Sequence, residues 1–205
     1  MINKDQELEA KFYIQDRAGV EQRLLTLGAE RVRARTRELN LRFDTKFGKL
    51  RRRKQLLRLR QDHSAHLTFK GQSRLVEGVF SRQEIEFELG DFEAAKRLVE
   101  ALGFRVVVIY EKFRTIYKLG DLEITLDELP FGNFLEIEGP DQSQIRRGAE
   151  KIGLVWETAI ERNYLGSFQE LKKRLGLKFR DVTFENFESL TVTAAQLGVR
   201  PADFG

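Results

Sequence analysis

Along this chain, ionisable and apolar side chains alternate at period two in one stretch after another, and that pattern limits what it can fold into. Glu7, Glu9 and Lys11 alternate with Leu8, Ala10 and Phe12. Arg58 and Arg60 alternate with Leu57 and Leu59, and Thr68 and Lys70 with Leu67 and Phe69. Arg82, Glu84, Glu86 and Glu88 stand opposite Ile85, Phe87 and Leu89. Lys112 and Arg114 share a face within a long stretch, 104–118. Glu123, Thr125 and Asp127 oppose Leu122, Ile124 and Leu126, and Glu136 and Glu138 oppose Leu135 and Ile137. Side chains of a strand point to opposite faces in turn, so each stretch is a predicted strand with one apolar and one charged face.

A solvated sheet face usually carries more Thr, Ser and Gln than this. Mixed acids and bases on so many strands suggest an interior. If the sheet closes into a barrel, the charged faces line it and the apolar faces pack beneath helices. Unpaired buried charge is costly, so such an interior calls for a highly charged ligand. A triphosphate suits it, because Arg and Lys bind phosphate oxygens through charge-assisted hydrogen bonds. Neighbouring carboxylates suit a divalent cation that bridges substrate oxygens.

Helices are expected between the strands. Asp16 is an N-cap for a stripe of Val20, Leu24, Leu25 and Leu27 that ends at Gly28. Asp91 caps 92–102, Asp141 caps a helix ending near Gly153, and a last helix covers 161–174 with Tyr164, Leu165, Phe168 and Leu171. In the extended stretch 30–44, Arg31, Arg33, Arg35 and Arg37 keep the parity of the apolar Leu39, Leu41 and Phe43. A bulge near the middle is therefore expected to switch the face, with the arginines on a solvated outer side. The basic run Leu50–Lys54 is expected as a solvated short helix or loop. His63 and His66 have no partners at metal-ligand spacing and are expected at the surface. The order strand, helix, several strands occurs twice, which suggests a two-lobed, pseudo-symmetric sheet assembly.

The 205 residues are 41% hydrophobic and 33% charged, with net charge +4. Acids nearly balance bases, unlike a basic nucleic-acid arm, so nucleic acid is not the expected partner. Without cysteine there are no disulfides and no thiolate metal sites. No apolar run approaches the roughly 18 residues that span a bilayer, and residues 1–5 carry no leader-like apolar segment. By exclusion the expectation is a cytoplasmic protein with no membrane partner.

Glu7-Leu8-Glu9-Ala10-Lys11 resembles the ExExK signature of the CYTH superfamily, the triphosphate tunnel metalloenzymes. The resemblance continues in order through Leu57–Arg60, Thr68–Gly71, Arg82–Glu86, Lys112–Arg114, Leu126-Asp127 and Phe134–Gly139, and covers about residues 5–175. It is nearest to bacterial members described as class IV adenylate cyclase-like. It implies an α+β fold: an eight-stranded antiparallel barrel enclosing a triphosphate tunnel, with helices outside. It also implies Mg²⁺ or Mn²⁺ held by Glu7, Glu9, Glu136 and Glu138. Lys11, Arg58, Arg60, Lys70, Lys112 and Arg114 would contact the triphosphate, and Glu84 and Asp127 would orient neighbouring bases or help with metal. Arg82 and Glu86 have no settled role. Where many relatives carry Gln-x-Asp-x-Tyr-Phe-Asp, this chain has Glu38-Leu39-Asn40-Leu41-Arg42-Phe43-Asp44, a departure at one end of the tunnel.

The expected activity is metal-dependent hydrolysis of an inorganic or organic triphosphate. The alternatives are a class IV adenylate cyclase making cyclic AMP and pyrophosphate, and a non-catalytic polyphosphate- or RNA-binding module. No general base is identified. Residues 1–175 form the expected domain, 176–205 an extension without assigned role, and a homodimer is implied only by the resemblance. Removing Arg58 or Arg114 is expected to relieve repulsion among the interior bases and leave the chain as stable as before.

Overall fold

The computed structural model of this chain describes residues 6–76 and 79–204. Residues 1–5, expected to lack a leader, lie outside the described residues. The strands are β1 (Gln6–Ile14), β2 (Glu30–Thr45), β3 (Leu56–Gln61), β4 (Ala65–Lys70), β5 (Arg74–Val76), β6 (Val79–Leu89), β7 (Phe104–Leu119), β8 (Leu122–Leu129) and β9 (Gly132–Glu138). The α-helices are α1 (Arg17–Thr26), α2 (Lys49–Arg52), α3 (Phe92–Ala101), α4 (Gln142–Ile152), α5 (Tyr164–Leu175) and α6 (Ala194–Leu197).

The sheet runs β1-β9-β8-β7-β2-β3-β4-β6-β5, and β1 also pairs with β6. The first half of β1 bonds to β6 (Glu7 opposite Arg82) and the second half to β9 (Lys11 opposite Glu136). This corrects the expected eight-stranded barrel: among the described residues the sheet has nine strands, eight of them paired antiparallel in a ring that is not a barrel, and β5 is attached to β6 where β4 leaves off. Three residues are too few to show a period-two pattern, so β5 left no trace in the sequence reading. Exchanging β1–β4 with β6–β9 maps the pairing order of the ring onto itself, a two-fold relation in the connectivity.

Apolar faces point outward under helices, for the reason strands alternate. Phe12, Ile124, Leu126, Leu135 and Ile137 meet Val20 and Leu24 of α1 and Ile145, Ala149 and Ile152 of α4. Each large side chain so buried contributes about 1.5–3 kcal/mol. Gly148 lets α4 come close, since a Cβ there would run into a Leu122 methyl. Val20 and Leu24 are buried as one face, but Leu25 and Leu27 are exposed, because only the i, i+4 pair faces the sheet. Leu41, Phe43 and Leu59 lie under Ala95 and Val99 of α3. Asp16, Asp91 and Asp141 cap their helices as the sequence suggests.

The expected face switch in β2 does not occur. Arg31 opposes Tyr117 and Arg37 opposes Phe113, with two register shifts between them. Each shift adds one residue to β2, so Arg33, opposite Ile116, leaves the outer face and two shifts restore the parity, with Arg35 and Arg37 on the face of Leu39, Leu41 and Phe43. What changes is the cover: solvent over the arginines, α3 over Leu41 and Phe43. Glu38, Asn40 and Arg42 then face inward. His66 is half-buried within β4 rather than at the surface.

Residues 177–204 fold back on the ring. Val182 bridges to Tyr110 through two backbone hydrogen bonds with β7, and Ala202 bonds to Tyr13 and Val155. Val182, Phe187 and Leu197 join Phe131, Phe134 and Phe168 in one cluster, which fixes α5 against the ring. No helix among the described residues is long and apolar enough to cross a membrane.

Candidate active site

The inward faces surround a cavity of about 300 Å³. Every site residue picked from the sequence lines it except Asp127, which is buried behind it. The sheet register explains the convergence, because Lys11 lies opposite Glu136 and Glu136 opposite Thr125, one residue from each of β1, β9 and β8.

Most bases in the cavity are paired. Lys11 Nζ lies 2.9 Å from Glu136. Arg114 donates to Glu136 at 2.7 Å and to both oxygens of Asp127, and Lys112 donates to Asp127 at 2.9 Å. Arg58 and Arg60 donate to Glu86 at 3.2 and 3.0 Å. Lys70 lies 2.8 Å from Glu7 and 2.7 Å from Glu84, and Arg82 donates to Glu7 and Glu9. These contacts place Arg82 and Glu86 firmly in the site.

Burial alone would raise the carboxyl of Glu136, but Lys11, Arg114 and Lys112 hold it well below the usual range. Lys11 is raised despite burial because Glu136 and Glu9 face it. Glu7 is lowered against its burial by Lys70 and Arg82, while burial and the adjoining Glu7 push Glu84 up.

Glu38, Arg42, Tyr110 and Tyr164 were not selected from the sequence. Glu38 is buried beside Lys112 (3.5 Å) and Arg60 (3.8 Å), and these bases hold it down to about 2 against its burial. Tyr110 is also lowered against its burial, by Arg58, Lys112 and Arg42. Tyr164 opens α5, donates to Asp127 at 2.8 Å and puts its ring 4.2 Å from Lys11 Nζ. The even parity of Glu38, Asn40 and Arg42 was the available signal for β2. Nothing local marks Tyr110 or Tyr164.

Glu9 opposes Glu138 and Glu138 opposes Glu123, a row of carboxylates across β1, β9 and β8. Like charges directly opposite repel. Glu138 has no ion pair among the described residues, and burial with Glu7, Glu123 and Glu84 pushes it up to about 7. Among the described residues no three His, Asp or Glu side chains already stand together as a metal site. Glu7, Glu9 and Glu136 are engaged by bases instead. The donor set is all carboxylate oxygen and carries an uncompensated acid, which is the chemistry a hard divalent cation fits.

A Methanocaldococcus jannaschii protein whose name proposes adenylate cyclase activity is 31% identical over 134 residues, covering 64% of this chain and 75% of that one. A Pyrococcus furiosus structure of unassigned function superposes with TM-score 0.66 at 29% identity, covering 78% of this chain and 98% of the other. A Hippeastrum protein, carrying a proposed adenylyl cyclase name and described as having a dominant triphosphatase activity, has the same fold, with TM-score 0.60, 19% identity, and coverage of 80% and 95%. Residues 5–164 match the CYTH domain, and with most of its length accounted for in this way, the chain belongs to the CYTH family.

Proposed function

We propose that this chain is a metal-dependent hydrolase that cleaves the terminal phosphoryl group from a triphosphate. Membership of the CYTH family makes it a triphosphate-handling enzyme; the proposal concerns the reaction and the residues. The observation that carries it is the convergence of Lys11, Arg58, Arg60, Lys70, Lys112 and Arg114 with Glu7, Glu9, Glu136 and Glu138 around one cavity. At about 300 Å³ the cavity is at the small end of ligand sites, which run roughly 300–1,000 Å³. That suits a compact polyanion.

The bases would hold the phosphate oxygens and stabilise charge on the transferred group as water attacks in line. The bond from phosphorus to the bridging oxygen breaks, giving phosphate and, from inorganic triphosphate, pyrophosphate. Asp127 and Glu86 would keep paired bases aimed inward, and so limit what must reorganise when substrate enters. Glu7, Glu9, Glu136 and Glu138 are the residues that would hold Mg²⁺ or Mn²⁺. When bound, the cation supplies charge neutralisation at substrate oxygens.

The test is a panel of inorganic triphosphate, thiamine triphosphate and ATP with either metal. Phosphate release from at least one is expected, and no release from any would defeat the proposal. Products from ATP separate the chemistries: ADP and phosphate for hydrolysis, cyclic AMP and pyrophosphate for cyclisation.

A further inference from the structure

Arg42 differs from every other base around the cavity. Lys11, Arg58, Arg60, Lys70, Arg82, Lys112 and Arg114 each have a carboxylate partner. Arg42 has neither a hydrogen bond nor an ion pair among the described residues, although it is largely shielded from solvent. Its charged and ionisable neighbours are Tyr110, two other arginines, Arg58 and Arg82, and more weakly the carboxylate of Asp44. This is the position where the family pattern described above has Tyr.

Its place along β2 gives the vacant charge a meaning. Glu38 lies beside Lys112, Asn40 opposes Arg60, and Arg42 opposes Arg58. Arg42 is thus four residues beyond the Lys112 layer, roughly 13 Å along a strand that rises about 3.3 Å per residue. There the cavity meets a second chamber of about 850 Å³, which Arg42, Lys70 and Arg82 also line. Lys46, Arg51, Lys54 and Arg105 line that chamber without a salt bridge among the described residues. Among the described residues its one carboxylate, Asp44, accepts the backbone N–H groups of Thr45, Leu50 and Arg51. The acid is therefore occupied in holding α2, and Arg51 and Lys54 of the basic run stand in the chamber wall.

Resting on the triphosphate reading above, we propose that Arg42 is a specificity residue for linear inorganic polyphosphate of four or more units. It takes the phosphate next to the three held in the inner cavity, and the second chamber receives the rest of the chain. A row of unpaired bases demands a ligand that is charged along its length. A nucleobase is neutral and would leave them unmatched. Phe47, exposed at that rim, is the feature that suits a base, which makes nucleotides the competing occupants.

The experiment uses the full chain with excess Mg²⁺ or Mn²⁺. The probes are inorganic tri-, tetra- and long-chain polyphosphate, ATP and a 5′-triphosphorylated oligonucleotide. Arg42→Gln should lower kcat/KM for tetraphosphate and longer chains about tenfold more than for triphosphate, a differential of about 1.4 kcal/mol. Arg42→Lys should keep part of the preference, and the Lys46→Ala/Arg51→Ala pair should affect the longest chains most. Equal loss at every length would overturn the proposal, as would a parent that rejects chains longer than three. A preference for ATP or the oligonucleotide that Phe47→Ala abolishes would assign the chamber to a base instead. If no triphosphate is hydrolysed at all, the proposed reaction fails separately. Calorimetric binding of tri- and tetraphosphate to the parent and Arg42→Gln, with chelator present, still decides the role of Arg42: an equal loss for both lengths refutes it.

Discussion

Tyr164 donates a hydrogen bond to Asp127 at 2.8 Å, from the first residue of the outer helix α5 to a carboxylate on the inner face of β8. The same Asp127 holds Lys112 and Arg114. The outer helix is thereby coupled to the alignment of two bases in the site.

Tyr164→Phe removes the donor and keeps the ring near Lys11. A hydrogen bond to a charged group is worth about 1.5–3 kcal/mol, so unfolding in urea should shift by that order, with a modest loss of kcat. Tyr164→Ala should cost more in both. An unchanged urea midpoint for Tyr164→Phe would show the bond to be dispensable.

Glu38 gives a pH dependence with a definite sign. Its carboxyl is held near 2 in the folded chain against a usual 4.5. A lowered acid stabilises the fold fully above about pH 4.5, and that contribution disappears as pH falls toward 2. At most about 3 kcal/mol is involved, at about 1.36 kcal/mol per unit. Glu38→Gln should flatten the acid limb of stability between those pH values and lower stability at neutral pH. Melts from pH 2 to 7 of both proteins test this; parallel curves would refute the assignment.

Metal and phosphate roles should separate at Glu138 and Arg114. Glu138 has no base to strand, so Glu138→Gln should fold normally, lose part of the Mg²⁺- or Mn²⁺-induced rise in melting temperature, and recover some activity in excess metal. Glu136→Gln and Glu9→Gln should share the metal response, but Glu136→Gln also strips a partner from Lys11 and Arg114. Arg114→Ala should lose activity with no metal response. Identical metal titrations for Glu138→Gln and Arg114→Ala would contradict the division.

Stability at the bases follows from their pairing. The expectation that Arg58→Ala or Arg114→Ala would be harmless without ligand is revised, because each base is matched by an acid. Removing Arg114 leaves buried Asp127 with Lys112 and Tyr164 and Glu136 with Lys11, so the cost should fall below the roughly 3–5 kcal/mol of a fully stranded buried charge. Arg58→Ala should cost less, since its partner Glu86 is partly solvated. Denaturation of the two variants should give that order.

Phe187 tests the tail. It is buried against Phe131, Phe168 and Phe179, so Phe187→Ala should destabilise by about 3–5 kcal/mol. A loss below about 1 kcal/mol, the usual range for a surface change, would mean that the tail adds little to the fold.

Much of the site was legible because strands put i and i+2 on one face. That spacing puts Glu7, Glu9, Lys11, Arg58, Arg60, Glu136 and Glu138 on charged strand faces, and the resemblance to the CYTH pattern supplied their expected roles in the site. The closure of the ring was not legible, since Glu7 meets Arg82 across 75 positions and no local pattern records that. Arg42 was hidden by its apolar neighbours Leu41 and Phe43, which drew the reading to the outer face. Tyr164 looked like one more apolar member of a helix stripe. Its hydroxyl found a use only once the tail had fixed α5 against the ring.

The two-fold relation in the strand pairing has a further consequence. The exchange that leaves the backbone pattern unchanged sends β3 and β4 onto β8 and β9. The first pair offers Arg58, Arg60 and Lys70 inward, and the second offers Asp127, Glu136 and Glu138 with Glu123. The hydrogen-bonded frame therefore has no preferred heading, and the side chains impose one. A linear anion with unlike ends would enter a field pointing from one wall to the other. Its reactive end would be chosen by orientation before any single contact is made.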